Sequence, residues 1–134
     1  MRTAIALLLQ HPRLGNRLAA DEPALAGAQP GASLLADLRA RAVAEPDATT
    51  AQLLEAYRDT SEQKHLERLA AYEFATESGS DREQALAQEF DDAVRRIAER
   101  ARRERRAALM DASSERALTE AEKEELRTLM RAQP

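Results

Sequence analysis

The chain has 134 residues, 33% of them charged and only 3% aromatic, enough for one core built from Leu, Ala, Ile and Val plus an appendage. Scarce glycine and high charge argue against an all-β domain or a flexible linker protein, and the absence of cysteine leaves neither a disulfide framework nor a thiolate metal site, with the cytoplasm as the default compartment. The net charge of −4 is unevenly spread: seven arginines stand against two glutamates in residues 95–106, and sixteen acids against six bases in 21–94, a balance that speaks against wholesale nucleic-acid binding.

In chain order, Arg2 to His11 reads as a first helix with Ile5, Leu8 and Leu9 on one face and Leu7 nearby. Arg2 ahead of a short apolar run superficially resembles a signal peptide, but the run ends at Gln10 without a small-residue cleavage site and suits a buried helix better. Pro12 stops this helix by disfavouring the helical conformation at His11. Leu14 to Ala20 can form a short second helix. The stretch DEPALAGAQPGAS is a loop with a turn around Pro23. Ser33 then caps a helix from Leu34 to Glu45, with Leu35, Leu38, Ala42 and Val43 inside and Pro46 beyond its end.

Thr49 and Gln52 have the spacing of a capping box, opening a helix through Leu53, Leu54 and Tyr57. A break at Arg58-Asp59-Thr60 follows, and Thr60 or Ser61 caps a helix carrying Leu66, Leu69 and Tyr72. Ser80 with Glu83 is a second capping box and starts the longest element, which runs uninterrupted to about Ala112. Its length would be roughly 45 to 50 Å, more than the width of a small bundle. Leu86, Phe90, Ala93, Val94, Ile97 and Ala101 fall at helical spacing, and beyond them the apolar stripe nearly vanishes until Ala107, Ala108, Leu109 and Met110. The helix should therefore start in a bundle, cross water and project.

Ser113 and Ser114 close that helix, and Thr119 with Glu122 caps a last one with Ala121, Leu126, Leu129 and Met130 on its inner face. The expected architecture is all-α: a bundle over residues 1–100 that includes the first part of the long helix, and a helical hairpin over 101–134. The hairpin has few apolar side chains of its own, which suits half of an interface better than a free-standing domain. A projecting helix with an apolar end also invites domain swapping or pairing with a second copy. No membrane span is present in the sequence.

Three segments, in order, resemble the C-terminal helicase-binding region of bacterial DnaG-type primases. They are MRTAIALLLQHP at residues 1–12, TTAQLLEAYRDT at 49–60 with LERLA at 66–70, and LTEAEKEEL at 118–126. Asp59 stands where the family's Tyr-Arg-Gly-Thr turn has glycine, a turn that Asp tolerates. The resemblance implies a fragment of a DNA-directed RNA polymerase, with Met1 corresponding to an internal methionine. Zinc-binding and RNA-polymerase domains would precede it; zinc and magnesium or manganese would belong to those domains, and no cofactor to this stretch. It also implies a bundle joined by a long helix to a hairpin that grips the N-terminal domain of the hexameric DnaB-type helicase in a cytoplasmic, nucleoid-associated replisome, supporting RNA primer synthesis.

On that resemblance the helicase would meet Leu109, Met110, Leu126, Arg127, Leu129, Met130 and Arg131. Helix-in-groove docking uses such i, i+3, i+4 anchors, and methionine suits an adaptable surface; the alternative is that these residues zip the two helices together. The acidic C-terminal tail of single-stranded DNA-binding protein would meet Arg2 and Arg68, with Met1, Ile5 and Leu69 as its apolar seat, unless Ile5 and Leu69 are ordinary core. From the residues alone, a nucleic-acid-binding module is the rival function. Its candidates are Arg95, Arg96, Arg100, Arg102, Arg103, Arg105 and Arg106, but no aromatic residue interleaves them to stack on bases. Ion pairs from Arg95, Arg100 and Arg103 to Glu99 or Glu104 on a solvated helix are the simpler account. Catalysis finds little support: His11 sits at a helix stop, His65 on a polar surface, and there is no glycine-rich phosphate loop.

Overall fold

The computed structural model describes residues 1–26, 29–74 and 80–131, all helical or irregular with no strand among them. Helix α1 spans Arg2–Gln10, and a 3-10 turn follows at Pro12–Arg17. Then come α2 at Pro23–Ala26, α3 at Ala32–Ala44, α4 at Thr50–Glu55 and α5 at Gln63–Ala70. The long α6 occupies Ser80–Glu115 and α7 occupies Glu120–Arg131.

The bundle is wrapped around α1. Every side chain from Ala4 to Leu9 is buried, because α3, α4, α5, α6 and the 3-10 turn pack around it. The sequence places its apolar residues on one face; the unbroken run AIALLL is better matched to a helix enclosed on all sides. Each buried Leu or Ile there contributes about 1.5–3 kcal/mol relative to exposure. The end of α1 is closed by two long-range bonds. The Thr50 hydroxyl donates to the Leu9 carbonyl at 3.0 Å, satisfying an oxygen left over at the helix terminus, and Gln10 Nε2 donates to the Tyr72 carbonyl at 2.7 Å.

Several local expectations are corrected. The short second helix is a 3-10 turn that begins at Pro12 rather than Leu14 and ends where Leu18 becomes extended. There Gly15 lies against α3, and a Cβ on it would come within 3.2 Å of the Ala42 Cβ, so tertiary packing sets the local form. The stretch around Pro23 forms one helical turn whose Ala24 is buried. Helix α3 starts at Ala32 behind a left-handed Gly31 (φ 92°), with no side-chain cap from Ser33. Val43 is exposed rather than inside, and Tyr72 lies beyond the end of α5, exposed and 4.9 Å from the Phe74 ring. Glu62, not Thr60 or Ser61, precedes α5; the Thr60 hydroxyl instead donates to the Tyr57 carbonyl.

Other expectations hold. The Thr49–Gln52 capping box is complete in both directions, at 2.8 and 3.2 Å. Asp59 adopts the left-handed conformation (φ 60°) that glycine takes more easily. Tyr57 is buried and ties α4 to α3: its hydroxyl donates to Asp37, and Arg41, itself paired with Asp37, lies over its ring at 5.2 Å.

Helix α6 begins at Ser80 as expected; the cap predicted at the Ser80 side chain lies outside the described residues. At 36 residues it is about 54 Å long, because it continues through Ser113 and Ser114 to Glu115. Leu86, Phe90, Ala93, Ile97 and Ala98 are buried in the bundle, and Arg17 clamps Asp91 through both carboxylate oxygens. After Ala98 no residue of α6 is buried until Leu109. That interruption is the vanishing stripe of the sequence.

Candidate interaction surface

The distal part of α6 turns back through Arg116–Thr119 into α7, and α7 packs on α6 and on no other described element. Leu109 is 1% exposed and is the one side chain buried between the two helices among the described residues. Leu118, Leu126 and Leu129 are half-buried, whereas Ala121 and Met130, expected on the inner face, are exposed, as is Ala108. The inner stripe of α7 is instead Glu122, Glu125, Leu126 and Leu129, the spacing of one helix face.

The two glutamates on that stripe do the work that apolar residues would do in a thicker hairpin. Arg105 grips Glu125 through two bonds of 2.8 and 2.9 Å, and Arg116 grips Glu122 through two of 3.0 and 2.9 Å. Glu122 also completes the capping box with Thr119: each backbone N–H donates to the other's side-chain oxygen at 3.1 Å. The Arg116 fork, followed by the Thr119 backbone N–H, holds the Glu122 carboxyl down to about 2, and Arg105 lowers Glu125 in the same direction. Planar guanidinium-carboxylate forks fix orientation as well as distance. The angle of α7 on α6 is therefore set by charge geometry around a single leucine.

Beside that stripe α7 carries a shallow groove lined by Lys123, Leu126, Arg127, Met130 and Arg131, with the half-buried Leu126 shared between the two faces. These positions follow the i, i+3, i+4, i+7 pattern of one helix face. Lys123 and Arg127 are braced by Glu120 and Glu124 at 3.1 and 2.8 Å, and Met130 is 49% exposed. Met110, 52% exposed, continues the apolar surface onto α6. Of the residues expected at a docking surface, Met110, Arg127, Met130 and Arg131 are exposed, Leu126 and Leu129 are partly so, and Leu109 is enclosed. Lys123 and the arginine-glutamate forks escaped the sequence reading; acids recurring at Glu122 and Glu125 opposite the basic stretch of α6 were the available signal.

The five residues expected to hold an acidic tail are split by burial. Ile5 and Leu69 are 1% and 7% exposed and belong to the core where α1 meets α5; Arg2 and Arg68 are exposed, and Met1 is half-buried. In the arginine cluster, Arg100 pairs with Glu104 at 2.9 Å as expected, while Arg95 takes Asp92 at 2.9 Å in place of Glu99. Among the described residues no group of His, Cys, Asp and Glu is placed to hold a metal ion, and no helix is long and apolar enough to cross a membrane.

Comparison with known proteins agrees with this architecture. Residues 1–129 match the family model described as DNA primase DnaG DnaB-binding. A DNA primase of Pasteurella multocida is 39% identical over 77 residues, which are 58% of this chain and 13% of that protein. The crystal structure of the DnaG primase C-terminal domain from Vibrio cholerae superposes with a TM-score of 0.79 at 26% identity, covering 97% of this chain and 95% of that one. The chain belongs to the DnaB-binding family of DnaG primases, the helicase-docking region of primase rather than its catalytic part.

Proposed function

We propose that this chain carries primase to the replicative helicase through the outward face of α7, with Leu126 and Met130 as apolar anchors and Lys123, Arg127 and Arg131 as a basic rim. The observation that carries this reading is the exposed groove formed by those five residues on a helix that has no buried residue of its own. The partner face it fits is an apolar seat on the helicase N-terminal domain bordered by carboxylates. Such charges would speed encounter and fix register, while the two apolar anchors would hold the complex. Docking would place primase beside newly unwound template and so support primer synthesis.

Immobilised helicase N-terminal domain should retain the wild-type chain. Leu126→Asp, or truncation before Ala107, should abolish that retention; retention by the truncated chain would overturn the assignment to the hairpin. The arginine cluster gives the rival nucleic-acid function little support, because Arg95, Arg100 and Arg105 already engage carboxylates and no aromatic ring interleaves the basic stretch.

A second contact belongs to the same proposal. The edge where α1 meets α5 would receive the acidic tail of single-stranded DNA-binding protein, with Arg2 and Arg68 for its carboxylates. The apolar seat there would be Met1, lying over the enclosed side chains of Ile5 and Leu69. Arg68→Ala should weaken a titration with the tail peptide without unfolding the bundle, and unchanged affinity would remove the site.

A further inference from the structure

The charge of the chain is divided along its length. Residues 1–94 carry sixteen acids against nine bases, and residues 95–134 carry eleven bases against eight acids. The second set begins where α6 leaves the bundle, since Ile97 and Ala98 are the last buried residues of that helix before Leu109. Within the bare stretch the arginines contribute unequally to the field outside. Arg95, Arg100 and Arg105 are neutralised by Asp92, Glu104 and Glu125. Arg96, Arg102, Arg103 and Arg106 have no carboxylate partner among the described residues.

Two of these four stand beside the docking groove. Arg103, Arg106 and Met110 occupy positions i, i+3 and i+7 of α6. A cleft on one flank of the hairpin is lined by Glu104 and Ala108 of α6 and by Glu125 and Thr128 of α7. At about 100° per residue, Arg106 and Met110 lie on the far side of α6 from Glu104 and Ala108. By the same rotation Lys123 and Met130 lie on the far side of α7 from Glu125 and Thr128. The free arginines and the α7 groove therefore share the opposite flank, where Met110 joins them. Glu99, the acid on this face of α6, forms no ion pair with either arginine among the described residues.

We infer that Arg103 and Arg106 steer the encounter with the helicase: they attract a carboxylate-rich surface of its N-terminal domain and bring the hairpin in first, without anchoring the final complex. The inference rests on the reading of α7 as the docking helix. An acidic partner is repelled by the acid-rich bundle and drawn to the distal arm, so the division of charge orients the approach as well as hastening it. Such a field acts before contact, over about 8 Å at physiological ionic strength, and needs no enclosed pocket. A nucleic-acid strand fits the same charge less well, because residues 95–134 hold no aromatic side chain for bases to stack on.

Stopped-flow association of the chain with labelled helicase N-terminal domain tests this. The wild-type association rate should fall as salt is raised. Arg103→Gln with Arg106→Gln should lower that rate about fivefold at low ionic strength and by less than about twofold at about 0.5 M salt, with dissociation unchanged. Arg103→Lys with Arg106→Lys keeps the charge but not the planar fork and should restore the wild-type rate. A wild-type association rate in the glutamine variant, faster dissociation in its place, or failure of the lysine variant to restore the rate would overturn the steering role. Truncation before Ala107 distinguishes this from the docking reading. Binding by the truncated chain would refute the docking helix and the steering with it; loss of binding there, alongside wild-type association in the glutamine variant, would refute the steering alone. A six-nucleotide oligothymidylate that displaces the helicase domain and binds the glutamine variant less tightly would give these arginines to nucleic acid and overturn the proposed partner.

Discussion

Leu109→Ala should detach α7 from α6 and leave the bundle folded. Leu109 is 1% exposed, and α7 packs on α6 alone among the described elements, so no bundle residue shares the load. Truncating a fully buried leucine costs about 2–5 kcal/mol in transfer and cavity terms. What remains is three half-buried leucines and two solvent-facing forks, of which a pair such as Arg105–Glu125 contributes about 0.2–1 kcal/mol. A helix of 12 residues is marginal in water without a partner surface. At about 1.4 kcal/mol per tenfold, the loss corresponds to a decrease of at least about 30-fold in hydrogen-exchange protection. Exchange followed by NMR or mass spectrometry should show that decrease over residues 120–131, with amides of α1 and α3 unchanged. Wild-type protection in α7, or loss of protection in α1 in the same transition, would refute the view of the hairpin as a separately held element.

Acid should open the same hairpin. Glu122 and Glu125 have carboxyls held below their ordinary value of 4.5, Glu122 at about 2, so the stabilisation is fully present above pH 4.5 and is lost as pH falls towards 2. NMR signals of α7 should be constant from pH 8 to 5 and shift between 4.5 and 2; an opening above pH 5 would contradict the assignment to these forks. Asp59→Gly should preserve or raise the melting temperature, since φ is 60° there and the bond from the Asp59 backbone N–H to the Gln63 side-chain Oε1 does not involve the Asp59 side chain and survives. Asp59→Val should cost about 1–2 kcal/mol in the same denaturation assay, and the opposite order would disprove the left-handed turn. Tyr57→Phe removes the hydroxyl that donates to Asp37 and should destabilise the bundle by about 1–2 kcal/mol in urea melts; a change below 0.5 kcal/mol would show that this bond adds little.

What the sequence disclosed was whatever depends on near neighbours. Capping boxes at Thr49–Gln52 and Thr119–Glu122 are four-residue patterns, and both form. The fading stripe of α6 after Ala98 is a periodicity within one helix and could be read directly. Distant pairings were hidden. Arg17 with Asp91, Gln29 with the Ile97 carbonyl, and Arg105 with Glu125 join residues 74, 68 and 20 positions apart, and nothing local selects one arginine over its neighbours. The mistaken inner face of α7 has a related cause. Hydrophobicity alone puts Met130 inside and Glu122 and Glu125 outside, whereas Arg105 of α6 and Arg116 of the turn meet that face and reverse the preference. The residues that face outward became visible once those inner partners were known.

Binding of the helicase N-terminal domain to a variant altered on the outward face of α7, Arg127→Glu with Met130→Asp, tests the docking account most directly. Both side chains are exposed and neither contributes to the α6–α7 core, so hydrogen exchange in α7 should match the wild type. Calorimetric titration should then show affinity reduced at least tenfold, or about 1.4 kcal/mol. Wild-type affinity in a variant with an intact hairpin would contradict the account.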